Sequence, residues 1–129
     1  MLTLKKTERL ISYSKINALF TKGKQFTVFP FKVIWNYSSI EQDSIAQVAI
    51  SVPKRLHKKA VARNLIRRRS KEAYRLNKKV LFDLLAEKNT KIEFMMVYLD
   101  KNILPFNILN DKIKLIFERF KQEYEKTNK

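Results

Sequence analysis

Residues 54–79 gather the positive charge of this chain into one segment. The segment holds 12 of the 28 Lys and Arg residues and a single acid, Glu72, in a chain whose formal net charge is +16. Six of the eight arginines lie in it, whereas a general bias toward basic residues would scatter them. A dense row of cations displaces counterions from phosphates and gives tight, salt-sensitive binding. The segment therefore predicts a polyanionic partner, and nucleic acid is favoured over an acidic membrane surface.

The same segment has the periodicity of an amphipathic helix of about 20 residues that begins near His57. At about 100° per residue its apolar side chains gather in one arc, which predicts the core-facing side. That arc holds Ala62, Leu65, Ile66, Ala73, Leu76 and Val80. The opposite arc holds Arg63, Asn64, Arg67, Arg68, Lys71, Tyr74, Arg75 and Lys78. Exposed helix faces normally mix charge signs because like charges four residues apart repel, so a face of one sign indicates a binding surface.

Periodicity elsewhere predicts one α+β domain that spans residues 1–129. The predicted elements begin with a helix over 14–22, which Gly23 ends, and strands over 27–37 and 46–52. The basic helix, a strand over 92–99 and a helix from about Asn107 follow. The apolar stripe of the last helix is Leu109, Ile113, Ile116, Phe117, Phe120 and Tyr124. Nearly every position of 92–99 is apolar, which suits a central strand covered on both faces. Pro30 has no N–H and limits pairing inside the first strand. The tail 126–129 is expected to fray.

The chain lacks the side chains that a protein-only nuclease would need. It has no cysteine, its acids are scattered, and its one histidine is His57. His57 is flanked by Lys58 and Lys59 without a general-base partner, so a surface role is expected for it rather than catalysis. No catalytic side chain and no metal site of the protein are predicted. The longest apolar run is six residues, which is too short to cross a bilayer, and a cytoplasmic protein is expected.

Three segments carry a resemblance to a known family. They read Val-Ala-Ile-Ser-Val-Pro-Lys-Arg at 48–55, Lys-Ala-Val-Ala-Arg-Asn-Leu-Ile-Arg-Arg at 59–68 and Lys-Glu-Ala-Tyr at 71–74. Upstream, a matching first-helix pattern is formed by Arg9 and Leu10, then Leu19, Phe20 and Gly23. Roughly residues 9–75 thus resemble the bacterial ribonuclease P protein component.

The resemblance implies both a fold and a function. The fold is an α+β two-layer sandwich with the element order α-βββ-α-β-α and a left-handed β-α-β crossover. The function is that of the protein subunit of ribonuclease P, a ribonucleoprotein endonuclease that removes the 5′ leader from precursor tRNA. In such a particle the RNA subunit performs the chemistry with Mg²⁺. The protein, as a monomer, binds the catalytic RNA and the leader of the precursor tRNA.

The same resemblance implies the site residues. The basic segment is expected to contact the catalytic RNA through Lys54, Arg55, Lys58, Lys59, Arg63, Asn64, Arg67, Arg68, Lys71 and Arg75. The cleft between the first helix and the sheet is expected to hold the leader, with the candidates Phe20, Phe31, Lys32 and Trp35. For the aromatic residues of the strand, burial in the core is the competing interpretation, because alternating aromatics usually pack inward.

Two positions depart from the family pattern, and other functions stay open. Leu65 stands where the family has the second Arg of an Arg-Asn-Arg motif, and Arg69 stands where an aliphatic residue is usual. Arg67, Arg68 and Arg69 can compensate for the phosphate contact that the missing Arg would make.

The alternative functions are a structural RNA-binding protein of the ribosomal or chaperone type, a DNA-binding regulator and an amphipathic membrane anchor. A strand that ends at Pro53, directly before the basic helix, disfavours a helix-turn-helix. Arg69 and small residues in the apolar arc disfavour the membrane anchor.

Overall fold

The computed structural model describes residues 13–38 and 45–127 of the chain. Within them the elements are α1 (Tyr13–Lys22), β1 (Lys24–Val28), β2 (Phe31–Tyr37), β3 (Ala46–Ser51), α2 (Ala60–Glu87), β4 (Ile92–Tyr98) and α3 (Phe106–Thr127). This order confirms the predicted α+β class and the sequence α-βββ-α-β-α. Lys126 lies in the last turn of α3, and the fraying expected for the tail stays a prediction. Residues 128–129, and the match at Arg9 and Leu10, lie outside the described residues.

The first predicted strand, residues 27–37, is two strands in the structure. β1 and β2 form an antiparallel hairpin in which Val28 pairs with Phe31, and Phe29 and Pro30 make the turn. Proline cannot donate a backbone hydrogen bond and its ring restricts φ, so a ladder does not run straight through this position. The prediction of a single strand is wrong for this reason.

The four strands form one sheet in the order β1-β2-β4-β3. β2 and β4 are central and antiparallel, with Trp35 opposite Phe94. β3 runs parallel to β4, so α2 crosses over the sheet to connect them. Every residue of β4 is buried, which confirms the prediction of a central strand covered on both faces. The left-handed sense of the crossover stays a prediction.

Opposite faces of the sheet carry separate hydrophobic clusters. The larger cluster joins the sheet to α2 and α3, and its strand residues include Phe31, Val33, Trp35, Phe94, Met96 and Tyr98. The smaller cluster lies on the other face, where Leu19 of α1 packs against Ile34, Met95 and Val97. Successive side chains of a strand point to opposite faces, which separates the two sets. The helices α2 and α3 therefore pack on one face of the sheet, and α1 packs on the other.

Gly23 ends α1, as predicted, at a place where the chain passes close to its neighbours. Its N–H donates to the carbonyl oxygen of Leu19 at 2.9 Å. A Cβ at this position would lie 2.5 Å from that oxygen and 2.7 Å from Cγ2 of Ile34. Only glycine leaves room for this approach, so it allows α1 to pack on β2.

The long helix α2 buries a different face from the one predicted. It begins at Ala60 and is 28 residues long, and its buried residues are Ile66, Ser70, Ala73, Tyr74, Lys78, Leu81 and Leu85. Leu76 and Val80, predicted to face the core, are 41% and 65% exposed. Tyr74 and Lys78, predicted to lie on the basic face, are buried. The buried face is rotated by roughly 100° from the predicted one.

The helix α3 accounts for this rotation. The ring of Tyr74 meets Phe117 of α3 edge to face, with the ring centroids 5.9 Å apart. Asn77 donates from Nδ2 to Oδ1 of Asn110 on α3 at 2.7 Å. The periodicity of one helix identifies a single apolar stripe, whereas α2 packs between the sheet and α3. The buried arc of α2 therefore lies where both the sheet and α3 can contact it.

Candidate nucleic-acid interface

Residues 52–59, between β3 and α2, form a cationic loop that we call the basic loop. Four of the predicted RNA-binding residues lie in it, and all are exposed: Lys54, Arg55, Lys58 and Lys59. The carbonyl oxygen of Pro53 accepts hydrogen bonds from the N–H groups of Leu56 and His57, both at 3.2 Å. These bonds turn the chain, so the four cations gather at one end of α2.

The basic loop leads into a helix N-terminus that carries no acid. Lys59 is the N-cap, with φ -81° and ψ 130°, and makes no side-chain capping bond. The first turn of α2 contains no Asp or Glu. The first N–H groups of a helix have no partner inside the helix and give that end a partial positive charge. The helix end and the loop cations therefore favour an anion at the same place.

Along the first half of α2 the predicted RNA-binding residues differ in exposure. Asn64, Arg68 and Lys71 are exposed, whereas Arg67 and Arg75 are half-buried. Arg67 donates from Nη1 to Oδ1 of Asn64 at 3.1 Å, which orders the two side chains with respect to each other. A guanidinium and an amide thus lie together beside the exposed cations.

Arg75 pairs with the single acid of the basic segment. Its Nε donates to Oε2 of Glu72 at 2.9 Å, and its Nη2 donates to Oε1 at 2.5 Å. The hydrogen bond from Arg75 lowers the pKa of Glu72 and raises the pKa of Arg75. Glu72 therefore offsets the charge of Arg75, whereas Arg68 and Lys71 are exposed cations.

Arg63 binds the basic loop of its own chain. Its Nη1 donates to the carbonyl oxygens of His57 at 3.0 Å and Lys58 at 2.7 Å. Hydrogen bonds from a charged donor are roughly twice as strong as neutral ones. Arg63 therefore closes the loop against the first turns of α2, and a direct contact from Arg63 to RNA stays a prediction.

Arg69 contacts the segment 99–105 between β4 and α3, which we call the β4–α3 loop. Its Nη1 donates to the carbonyl oxygen of Leu104 at 2.9 Å. Arg69 is thus engaged inside the protein. Leu65, at the position of the missing family arginine, is half-buried rather than fully in the core. Arg67 and Arg68 remain as the arginines that can compensate at that position.

His57 is buried, and the prediction of a surface role for it is wrong. The residue is 6% exposed, and its Nε2 lies 2.7 Å from the carbonyl oxygen of Asp100. A carbonyl oxygen only accepts hydrogen bonds, so Nε2 carries a proton and donates it. The ring also lies beside Tyr98, with centroids 5.8 Å apart. The flanking lysines predict exposure, but the loop turns His57 inward while Lys58 stays outside.

The four leader candidates separate into two pairs. Phe20 on α1 is 51% exposed, and Lys32 on β2 is half-buried. Phe31 and Trp35 are 0% and 1% exposed and belong to the cluster that faces α2 and α3. The prediction that Phe31 and Trp35 contact a leader is therefore wrong, because they point away from the face that α1 covers. The competing core interpretation holds for both.

An exposed aromatic residue that the sequence analysis missed is Phe29, in the turn between β1 and β2. It is 58% exposed. The alternating pattern over 27–37 places it with the inward side chains. The turn at Pro30 breaks that alternation and releases Phe29 to solvent, so an aromatic directly before a proline inside a strand-like run is the signal that could have identified it.

The candidate side chains of this interface are cations, one amide and aromatic rings. Within residues 13–38 and 45–127, no three His, Asp or Glu side chains are grouped so that they could hold a metal ion. No helix in the described part of the chain is long and apolar enough to cross a membrane. Cations, an amide and exposed aromatic rings are groups that bind a polyanion through charge, hydrogen bonds and stacking.

Comparison with known proteins shows the family of this chain. A model of the family described as Ribonuclease P matches residues 4–121. The chain belongs to the ribonuclease P protein family. Ribonuclease P protein components from two strains of Porphyromonas gingivalis are each 40% identical to it over 96 residues, which are 73% of this chain and 70% of the relative.

Solved structures of ribonuclease P proteins share the fold. The RNase P protein from Thermotoga maritima has a TM-score of 0.69 at 20% identity, covering 87% of this chain and 96% of that one. The structure of Staphylococcus aureus RNase P protein has a TM-score of 0.66 at 16% identity, covering 88% of this chain and 95% of that one. At such identities the likeness shows the fold alone.

Membership of the ribonuclease P family confirms the predicted role. The chain is the protein subunit of ribonuclease P, an endoribonuclease complex that processes tRNA, and its partner in that ribonucleoprotein is RNA. The alternative of a non-enzymic structural RNA-binding protein has no support among the relatives. The RNA contacts of individual residues stay predictions.

Proposed function

We propose that this chain binds the catalytic RNA of ribonuclease P through the basic loop and the N-terminal half of α2, and binds the 5′ leader of precursor tRNA beside α1. One observation carries the proposal: exposed cations surround a helix N-terminus whose first turn contains no acid. Phosphates of a folded RNA are the anions that such a surface fits best, because several cations can each neutralise one phosphate.

The side chains of this surface differ in what they contribute. Lys54 and Lys58 act as point charges near phosphates, whereas the planar guanidinium of Arg68 can bind a phosphate through two parallel hydrogen bonds. Asn64 offers both a donor and an acceptor, which suits a base edge or a 2′-hydroxyl group. The charges thus supply affinity, and Asn64 adds selectivity for RNA.

The leader surface is proposed on the face of the sheet that α1 covers. Phe20 presents a half-exposed ring there, and Lys32 shares a strand face with Ile34, which contacts Leu19 of α1. A single strand can stack a base on an aromatic ring and place its phosphates near cations. Mature tRNA has no leader for this surface, so precursor tRNA is favoured.

Catalysis is assigned to the RNA subunit with Mg²⁺. In this proposal the ion is held mainly by RNA, whose phosphates supply the oxygen ligands that Mg²⁺ prefers. The protein instead neutralises phosphate repulsion between the catalytic RNA and its substrate, which lowers the Mg²⁺ concentration that the particle needs. One copy of the protein acts in each particle, in the cytoplasm.

Reconstitution with a bacterial ribonuclease P RNA tests the proposal. The purified protein should restore cleavage of precursor tRNA at low Mg²⁺. A double variant with Lys58→Glu and Arg68→Glu should fail to restore it. The matched double variant with Lys114→Glu and Lys121→Glu, at exposed positions of α3, should act like the parent. No restoration by the parent, or full restoration by the loop and α2 variant, contradicts the proposal.

A further inference from the structure

His57 joins two loops near the N-terminal end of α2. Its Nε2 donates to the backbone carbonyl oxygen of Asp100 at 2.7 Å, so a side chain of the basic loop holds the main chain of the β4–α3 loop. The hydrogen bond is partly buried, since His57 is 6% exposed and Asp100 is half-buried. Breaking it leaves a partly shielded carbonyl without its donor, which is more costly than breaking an exposed bond. The position of the basic loop is therefore coupled to that of the β4–α3 loop.

The β4–α3 loop is itself held by two other elements. The hydroxyl of Tyr98, at the end of β4, donates to the carbonyl oxygen of Asn102 at 2.5 Å and accepts from the N–H of Leu104 at 3.3 Å. Burial raises the pKa of Tyr98, so the hydroxyl keeps its proton at neutral and mildly alkaline pH. Arg69 of α2 donates to the carbonyl oxygen of Leu104 at 2.9 Å. The loop is thus a fixed support for His57.

The basic loop is anchored on its other side by Arg63, which donates to the carbonyl oxygens of His57 and Lys58. Both anchors act on or next to residue 57, and neither uses an exposed cation of the loop. The side chains of Lys54, Arg55 and Lys58 remain exposed. The internal contacts therefore order the backbone and leave these charges facing outward.

We propose that His57 is a positioning residue for RNA binding, which holds the basic loop so that Lys54, Arg55 and Lys58 are presented together to the catalytic RNA. The inference rests on the proposed function of the basic loop. Without the bond to Asp100 the loop samples more conformations, and RNA has to order it on binding, which lowers affinity. Several phosphate contacts weaken together, although no Lys or Arg has been removed.

Two uncharged substitutions separate the hydrogen bond from the bulk of the ring. His57→Gln retains an N–H donor on a side chain of similar reach, whereas His57→Phe retains a ring beside Tyr98 and removes the donor. The measurement is the affinity for ribonuclease P RNA as a function of salt, because the slope of log K against log salt falls by about 0.7 to 0.9 for each phosphate that the protein no longer neutralises. We expect His57→Phe to bind about tenfold more weakly with a slope lower by about 1 to 2. His57→Gln should bind like the parent.

A control separates this effect from a loss of stability. Ile116→Val removes one methylene group from the core of α3 and should lower the melting temperature without changing the salt slope. Circular dichroism and a thermal melt establish that each variant is folded at the assay temperature. Parental affinity and slope in folded His57→Phe overturn the proposal, as does an equal decrease in affinity in His57→Gln and His57→Phe.

A second variant keeps the proposal testable where His57→Phe does not fold. Tyr98→Phe removes the hydroxyl that holds Asn102 and Leu104, changes no charge, and leaves the ring against His57. It should also weaken RNA binding and lower the slope, and a folded variant with parental binding overturns the proposal. The proposed function fails in a different way: Lys58→Glu would then leave RNA binding unchanged.

Discussion

Nη1 of Arg69 lies 2.9 Å from the carbonyl oxygen of Leu104, so an arginine of the basic segment holds a neighbouring loop. Arg63 and Arg75 also have partners within the protein. The charge of residues 54–79 therefore exceeds the charge that is directly available to RNA. The exposed cations of the proposed interface are Lys54, Arg55, Lys58, Lys59, Arg68 and Lys71.

The adjacent residues Arg68 and Arg69 should respond differently to substitution. Arg68 is exposed, so Arg68→Ala should weaken RNA binding by about 1 to 3 kcal/mol and change the free energy of unfolding by less than about 0.5 kcal/mol. Arg69→Met should lower the free energy of unfolding by about 1 to 2 kcal/mol, because the carbonyl of Leu104 loses its donor. Filter binding and urea denaturation measure the two effects. Equal decreases in stability in both variants would contradict this division.

Leu65→Arg should be tolerated, because Leu65 is half-buried rather than enclosed. The aliphatic stem of an arginine can lie where Leu65 packs while its head reaches solvent. We expect the free energy of unfolding to change by less than about 1 kcal/mol and the affinity for ribonuclease P RNA to rise, since a cation joins the surface. Leu65→Gln is the uncharged control. A destabilised Leu65→Arg with no gain in affinity would show that the position belongs to the core.

Phe20→Ala should reduce the preference of the holoenzyme for precursor over mature tRNA. Half of the Phe20 side chain is already exposed, so the substitution should cost less stability than the about 3 to 5 kcal/mol of a core phenylalanine. Phe31→Leu is the matched control, because Phe31 is fully buried on the other sheet face. It should lower the melting temperature and leave the ratio of precursor to mature affinity unchanged. A large decrease in stability in Phe20→Ala with an unchanged ratio would remove Phe20 from the site.

Gly23→Ala should destabilise the packing of α1 on the sheet. Its Cβ would lie within contact distance of backbone and of Ile34, so overpacking should cost about 1 to 3 kcal/mol. Ala18→Gly, at an exposed position of α1, should cost about 0.5 to 1 kcal/mol through helix propensity alone. Urea denaturation compares the two variants. A Gly23→Ala protein as stable as the parent would show that α1 shifts freely on β2.

Tyr98 should make stability depend on pH in the alkaline range. Burial raises the pKa of Tyr98 in the folded protein, so ionisation favours the unfolded chain. The contribution of Tyr98 to the free energy of unfolding is complete below a pH of about 10, and it is lost as the pH rises through the higher pKa of the folded protein. The melting temperature should therefore fall more steeply above about pH 10 in the parent than in Tyr98→Phe. Parallel curves would show that Tyr98 is not responsible.

The sequence by itself determined most of the elements, the family and the kind of partner. The segment 92–99, apolar at nearly every position, predicts a strand buried on both faces from its own composition, and β4 is such a strand. The apolar stripe predicted for the last helix is buried throughout in α3. The match to the ribonuclease P signature depends on residue types at fixed spacing, and charge density is a property of composition. Such features can be predicted from neighbouring residues in the sequence, because they do not depend on contacts between distant parts of the chain.

Only the tertiary structure decided which faces the elements bury and which cations remain available. Alternation along β2 separates Phe31 and Trp35 from Lys32, but it does not say which set faces α1. The periodicity of α2 cannot include α3, which packs against it from more than 30 residues away in sequence. The orientations of His57 and Arg69 depend on carbonyl groups of the β4–α3 loop that are similarly remote. Local patterns record the tendency of a side chain to be buried, whereas the partner that buries it is set by how the whole chain packs.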